Sequence, residues 1–131
     1  MRKINLSAFI LFTVLAVFVS VNAQSPTRIQ FGKGKNSAVL KGSTGEYGIT
    51  YVIRARSGQK IVIDLSPATK VGIKVETDGR YGQSVLLREE RGGHYEVGLE
   101  ESGDYTIFIG SLNNRPTPFT LSVKVVKMAD I

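Results

Sequence analysis

Apolar and polar residues alternate most regularly in the segment 105–110. Tyr105, Ile107 and Ile109 form one face and the intervening residues form the other, and this period of two predicts a β-strand. The strand follows directly on the Ser-Gly-Asp sequence at 102–104. All three are turn formers, because Gly tolerates positive φ while Ser and Asp bond nearby backbone groups. The pattern therefore predicts a tight turn that leads into a half-buried strand.

Eight further segments are short, rich in apolar residues and bounded by turn residues. They are 28–31, 38–42, 49–56, 60–65, 71–76, 84–88, 94–99 and 119–126. No helical periodicity separates them. Strands of about this length and spacing predict an all-β fold, an antiparallel and jelly-roll-like β-sandwich of about eight or nine strands.

The N-terminus does not follow the strand pattern. A basic start precedes an almost wholly apolar run over 4–19, and a small-x-small sequence ends at Ala23. These features predict a secretory signal peptide over 1–23, cleaved after Ala23, and a single periplasmic or secreted domain over 24–131. A membrane anchor is the alternative, but the apolar run is short for a span and a cleavage signal follows at once. We expect no membrane span in the mature protein.

Net charge and cysteine content limit the classes of function that the domain can have. The formal net charge of +6 falls to +4 when Arg2 and Lys3 leave with the signal peptide. The basic residues are spread out and not interleaved with aromatic residues, which argues against binding to nucleic acid. The mild positive charge is compatible with acidic envelope polymers, or simply with a solvated surface. The chain has no Cys, so the domain depends on its core rather than on disulfides.

Residues suited to catalysis or metal binding are sparse. His94 is the one His, and no Ser on a strained elbow lies near it to form a catalytic triad. The adjacent Glu pairs at 89–90 and 100–101 should point apart, unlike the paired carboxylates of a glycosidase. Asp78 offers at most part of a calcium site, and an Asp-Gly turn is the simpler interpretation. We expect a protein without enzymatic activity, metal or cofactor.

Antiparallel strands place alternate turns at the same end of a sandwich. The turns 32–36, 57–59, 77–83 and 100–104 are therefore predicted to lie together, and loops on a rigid β scaffold commonly carry binding residues. The polar, charged and aromatic candidates at this end are Lys33, Lys35, Asp78, Arg80, Tyr81, Glu101, Ser102 and Asp104.

Three blocks, which together span most of the mature chain, resemble a known family. They are Arg28-Ile-Gln-Phe-Gly-Lys-Gly-x-x-Ser-Ala38, Tyr51-Val-Ile-Arg-Ala-Arg-Ser-Gly-Gln59 and Ser102-Gly-Asp-Tyr-Thr-Ile107. In this order they resemble the bacterial periplasmic inhibitors of g-type lysozyme and their uncharacterised relatives. More loosely, they resemble the β-sandwich domains at the C-terminal end of secreted prepeptidases. The first two blocks indicate the fold only.

The third block matches the signature of the lysozyme inhibitors, which is Ser-Gly, one or two residues, then Tyr. The resemblance implies a rigid loop that enters the cleft of a g-type lysozyme. Ser102 would bond the catalytic acid of the enzyme, Gly103 would allow a close backbone approach, and Tyr105 would brace the loop. The structural alternatives are a turn-capping role for Ser102 and a buried corner role for Tyr105.

The resemblance also suggests electrostatic contacts. Arg80 or Lys35, if at the same end, would pair with the carboxylate of the enzyme. Asp104 and the Glu pair at 100–101 flank the motif, and their charge is unfavourable beside a catalytic carboxylate unless basic groups neutralise it. A basic rim on the lysozyme would favour them.

A second hypothesis makes the domain a non-catalytic module that binds carbohydrate or peptidoglycan. It requires an exposed aromatic platform, for which Tyr81 and Tyr47 are the candidates.

Overall fold

The computed structural model describes residues 25–79 and 82–128. The predicted signal peptide, its cleavage after Ala23, Arg80 and Tyr81 lie outside these residues. The described strands are β1 (Thr27–Arg28), β2 (Ser37–Ser43), β3 (Ile49–Ala55), β4 (Gln59–Ser66), β5 (Val71–Gly79), β6 (Gly82–Glu89), β7 (Gly93–Gly98), β8 (Gly103–Ser111) and β9 (Pro118–Lys127). In these two ranges no helix is long and apolar enough to cross a lipid bilayer.

The strands form two packed sheets, in the orders β1-β3-β8-β5-β6 and β2-β9-β4-β7. From β2 onward, consecutive strands pass from one sheet to the other, except for the hairpin formed by β5 and β6. This alternation is that of a jelly roll, so the predicted fold class is confirmed. The pairing of β1 with β3 is parallel and is the exception to an otherwise antiparallel arrangement.

The core lies between the sheets, and the alternating residues of the strands fill it. Tyr105, Ile107 and Ile109 of β8 are all at most 1% exposed, as their period of two predicted. The other strands contribute in the same way, with Ile61 and Ile63 of β4 fully buried. Burial of each such side chain stabilises the fold by about 1.5–3 kcal/mol relative to its exposure.

The predicted loop at 77–83 is wrong. β5 continues to Gly79 and β6 begins at Gly82, with Asp78 paired to Gln83. Asp78 and Gln83 are exposed strand residues, because β5 also pairs with β8 as far as Thr77 and the ladder extends the strand. The first strand is likewise shorter than predicted, with β1 limited to Thr27–Arg28.

Hydrogen bonds show which turns share an end of the sandwich. At one end, the amide of Gly58 donates to the carbonyl of Leu99 at 3.0 Å, and the amide of Met128 donates to the carbonyl of Gly58 at 3.0 Å. At the other end, the amide of Thr44 donates to the carbonyl of Thr117 at 3.0 Å. The turns following β3 and β7 therefore meet, as the alternation of antiparallel strands predicts.

Candidate functional site

The turn that precedes β8, residues 99–103, is fixed to the β3–β4 turn by three hydrogen bonds. The amide of Leu99 donates to the carbonyl of Gln59 at 2.9 Å, and the bond between Gly58 and Leu99 completes a reciprocal pair. The amide of Ser57 donates to Oγ of Ser102 at 2.9 Å. We call residues 99–103 the Ser102 turn. Its backbone is held in place by a neighbouring turn rather than by its own strand alone.

The hydroxyl group of Ser102 is only partly used by this contact. Its oxygen accepts the hydrogen bond from Ser57, but it donates none to the described residues. A Ser hydroxyl carries one donor as well as two acceptor lone pairs. Ser102 is exposed, so its proton is available to an external acceptor, such as a carboxylate.

Gly103 gives the turn a backbone that other residues rarely adopt. Its φ is +150°, and a Cβ placed on it would meet no atom within 4 Å. Glycine is required here by backbone conformation, not by lack of space. The open surroundings also mean that a partner molecule can approach the main chain closely.

Tyr105 braces the turn from inside the core. Its ring is 1% exposed, and its hydroxyl donates a hydrogen bond to the carbonyl oxygen of Glu101. Burial raises the pKa of Tyr105, which keeps the hydroxyl protonated and able to donate. Its position makes it a positioning residue for the Ser102 turn, because its ring has almost no surface for contact with a partner.

Asp104 lies in a cluster of arginines on the outer face of the five-stranded sheet. Both of its oxygens accept hydrogen bonds from Arg28, at 3.1 and 2.9 Å, and Nη1 of Arg54 lies 3.7 Å from Oδ1. The hydrogen bond from Arg28 lowers the pKa of Asp104. One carboxylate with two guanidinium groups leaves this cluster with a net positive charge, so Asp104 does not make the turn acidic.

Arg28 and Arg54 are not among the site residues that the sequence predicts. Arg54 faces Asp104 directly across the β3–β8 ladder, and Arg28 reaches it from the edge strand β1. Opposite charges at facing positions would have signalled the contact, but only once the register of the two strands was known.

Lys35 lies at the same end of the sandwich, but no hydrogen bond among the described residues links it to the Ser102 turn. Its amide closes its own turn by donating to the carbonyl of Gly32 at 2.9 Å. Its neighbour Asn36 is bonded to Val125 of β9. The side chain of Lys35 is exposed and makes no ion pair with a described residue.

A cleft of about 240 Å³ opens beside the Ser102 turn. It runs between the turn and the β5–β6 hairpin, with Ser84 and Leu86 on one side and Glu100 and Glu101 on the other. No His lines it. The one imidazole, that of His94, has its two nitrogens 2.8 Å from Asp64 and 3.0 Å from Glu96. The described residues thus contain no Ser activated by His, and no cluster of His, Asp or Glu placed to bind a metal ion.

The fold is similar to solved structures of lysozyme inhibitors. Against PliG of Aeromonas hydrophila, a periplasmic lysozyme inhibitor of g-type lysozyme, the TM-score is 0.67 at 26% identity over 77% of this chain and 96% of that one. PliG of Salmonella Typhimurium is also a periplasmic lysozyme inhibitor of g-type lysozyme. Against it the TM-score is 0.60 at 24% identity, over 79% of this chain and 99% of that one. The resemblance predicted from the sequence is therefore confirmed in the structure.

A weaker similarity links the chain to the pre-peptidase C-terminal domain of a collagenase from Bacillus anthracis. Its TM-score is 0.50 at 17% identity, over 78% of this chain and 95% of that domain, which is a likeness of fold alone. No protein-family model and no curated protein matches the sequence.

Proposed function

We propose that this protein is a periplasmic or secreted lysozyme inhibitor that acts on g-type lysozyme without catalysis. The observation that carries the proposal is the Ser102 turn itself. Ser102, Gly103 and Tyr105 match the inhibitor signature, and the turn is exposed, pinned by Ser57 and set on a fold similar to those of known inhibitors of g-type lysozyme.

The mode of action follows from the chemistry of the turn. The hydroxyl group of Ser102 donates a hydrogen bond to the catalytic carboxylate of the lysozyme, while its oxygen accepts one from the amide of Ser57. Gly103 brings the main chain close to the enzyme. Because the turn is already fixed by Ser57 and Tyr105, little conformational entropy is lost on binding, and pre-organisation of this kind raises affinity.

The arginine cluster supports binding to an acidic cleft. Arg28 and Arg54 neutralise Asp104 and leave a net positive group beside the turn. The side chain of Arg54 is 74% exposed, so it can reach a carboxylate of the enzyme. Complementary charge of this kind raises the association rate and favours the correct partner. Arg54 is a further candidate for the carboxylate contact that the resemblance implies for Arg80 or Lys35.

The test is inhibition of purified lysozymes by the mature protein in a cell-wall lysis assay. We expect stoichiometric inhibition of g-type lysozyme and none of the c-type and i-type enzymes. Ser102→Ala should abolish inhibition, whereas the control Ser37→Ala, an exposed Ser at the start of β2, should retain it. Absence of inhibition of every class at micromolar protein would refute the proposal.

The proposed location has its own test. Expression in a Gram-negative host, osmotic release of the periplasm and intact-mass measurement should yield a chain that begins at Gln24. Retention of the protein in the cytoplasmic fraction with an uncleaved N-terminus would contradict a secreted inhibitor.

A further inference from the structure

The arginine that faces Asp104 in the sheet is not the one that binds it. Arg54 lies directly opposite Asp104 across the β3–β8 ladder, yet its Nη1 is 3.7 Å from Oδ1, which is beyond hydrogen-bond distance. Arg28 lies one strand further away, on β1, and its terminal nitrogens donate to both carboxylate oxygens at 3.1 and 2.9 Å. Arg28 therefore occupies the carboxylate, and Arg54 lies beside it without a hydrogen bond.

The backbone around this ion pair is fixed independently of it. The amide of Ile29 donates to the carbonyl of Val52 on β3 at 2.8 Å, and the side chain of Ile29 is buried in the core. On β8, the main-chain carbonyl of Asp104 accepts a hydrogen bond of 3.1 Å from Oγ1 of Thr77. Loss of the Arg28 side chain should therefore leave both strands in place.

The ion pair is also too exposed to contribute much to stability. The side chains of Arg28 and Asp104 are 47% and 43% exposed, and ion pairs of this kind add little to the free energy of unfolding. The geometry is nevertheless specific, because a guanidinium group matches a carboxylate through two parallel hydrogen bonds. The contact thus determines which group Asp104 binds more than it stabilises the fold.

Arg54 keeps an accessible side chain in this arrangement. It is 74% exposed, and its guanidinium group donates no hydrogen bond to a described residue. Its strand, β3, leads into the turn whose Ser57 donates to Ser102. Arg54 therefore lies beside the Ser102 turn with its donors unused.

We propose that Arg28 is a positioning residue of the inhibitor site, which keeps Arg54 free by occupying both oxygens of Asp104. Without Arg28 the carboxylate has two open acceptors, and Arg54 needs to move by less than about 1 Å to reach the length of a charged hydrogen bond, about 2.8 Å. Arg54 would then have to leave Asp104 before it could bind a carboxylate of the lysozyme. The effect on inhibition rests on the proposed function, whereas the exchange of arginines on Asp104 does not.

Variants with matched charge separate this role from a simple loss of charge. In the wild type, two guanidinium groups and one carboxylate give the cluster a net charge of +1. Arg28→Ala removes one positive charge and releases Asp104 to Arg54. The double variant Arg28→Ala/Asp104→Asn has the same net charge as the wild type, and it leaves Arg54 without a competing carboxylate.

The first test is inhibition of g-type lysozyme by these variants in the cell-wall lysis assay. We expect Arg28→Ala to inhibit about fivefold more weakly, the equivalent of about 1 kcal/mol, and the double variant to recover the inhibition that Arg28→Ala loses. Asp104→Asn should associate with the enzyme faster than the wild type, because it frees both arginines. The control Arg88→Ala removes an exposed positive charge from β6, at the opposite edge of the same sheet, and should inhibit as the wild type does.

The same variants distinguish two other roles of Arg28. If Arg28 only holds β1 in place, Asp104→Asn breaks the same ion pair and should weaken inhibition as much as Arg28→Ala does. If Arg28 itself contacts the lysozyme, the double variant should stay as weak as Arg28→Ala. Either result would overturn the proposal, once circular dichroism has shown that the variants are folded.

The second test follows Asp104 itself and needs no lysozyme. NMR titration of its side-chain carboxyl carbon reports the pKa in each variant, and Asp78, which lines the same cleft, remains in all of them. In Arg28→Ala we expect the pKa of Asp104 to stay below the ordinary value for Asp, because Arg54 replaces Arg28. In Arg28→Ala/Arg54→Ala it should return to that value.

An ordinary pKa of Asp104 in Arg28→Ala alone would overturn the proposal, since Arg54 would then not be drawn to the carboxylate. A wild-type protein that inhibits no lysozyme would instead refute the proposed function, and with it the effect on inhibition. The titration would still decide whether the two arginines exchange on Asp104.

Discussion

The amide of Ser57 donates a hydrogen bond of 2.9 Å to Oγ of Ser102, a residue 45 positions further along the chain. This contact joins the turn between β3 and β4, which lie in different sheets, to the turn that enters β8. The proposed inhibitor turn is therefore held by the framework of both sheets. The hydrogen bond leaves the hydroxyl proton of Ser102 free, so one side chain both fixes the turn and offers a donor.

Removal of the Tyr105 hydroxyl tests how the turn is braced. Tyr105→Phe keeps the buried ring and deletes the hydrogen bond to Glu101. We expect the free energy of unfolding to fall by about 1 kcal/mol, the usual net value of such a bond, and inhibition to weaken less than in Ser102→Ala. Urea denaturation measures the first effect.

The control for this change is Tyr51→Phe. Tyr51 is also a buried tyrosine, but its hydroxyl forms no hydrogen bond with a described residue. We expect almost no loss of stability in that variant. Equal losses in the two variants would show that the bond to Glu101 contributes nothing specific.

Gly103→Ala tests the requirement for an unusual backbone. The φ of +150° strains any residue with a side chain, although the space for a Cβ is open. We expect a loss of about 1–3 kcal/mol in the free energy of unfolding or a rearranged turn, with weaker inhibition in either case. The matched change Gly32→Ala, in an exposed turn without positive φ, should preserve both properties. Full inhibition by Gly103→Ala would show that the backbone geometry is dispensable.

Substitution of two glycines at the end of the sandwich opposite the Ser102 turn distinguishes the cost of backbone strain from the cost of steric contact. Gly48 and Gly45 both have positive φ, but only at Gly48 would a Cβ meet the ring of Phe108, at 2.2 Å. We expect Gly45→Ala to cost about 1–2 kcal/mol from strain alone. Gly48→Ala should cost at least about 1 kcal/mol more, because overpacking adds to that strain. Thermal denaturation of both variants gives the difference, and equal melting temperatures would mean that the Phe108 ring moves away freely.

His94 should give the stability a pH dependence. Its imidazole lies between Glu96 and Asp64, whose hydrogen bonds raise its pKa above the ordinary value. The charged form is thus favoured in the folded state. The His94 contacts stabilise the fold fully at pH values below the pKa of His in the unfolded chain, about 6.5. This stabilisation is lost as the pH rises through the higher pKa of His94 in the folded state.

The expected result is a melting temperature that declines through this range in the wild type and declines less in His94→Gln. Lys60 also pairs with Glu96, at 2.7 Å, and this ion pair is present in both proteins. Parallel pH profiles for the two proteins would exclude a role for the His94 contacts in stability.

The residue pattern alone determined the strands and their inward faces. Alternation is a local property, so the buried positions of Tyr105, Ile107 and Ile109 follow from the order of apolar residues. The turn at Gly103 is similarly local, because Ser, Gly and Asp favour turns wherever they occur. The jelly-roll class also followed from this alternation, whereas the resemblance to lysozyme inhibitors rested on the three sequence blocks at 28–38, 51–59 and 102–107.

Only the tertiary structure decided which residues meet. The pair of Arg28 and Asp104 is separated by 76 positions, and that of Ser57 and Ser102 by 45. Neither leaves a periodic signal, since both depend on strand order and register across the sheets. The same holds for the extension of β5 to Gly79, where pairing with neighbouring strands overrode the polar, turn-like composition. Long-range pairing is a property of the assembled sheets, and that is why Ser57, Arg28 and Arg54 joined the candidate site only in the folded chain.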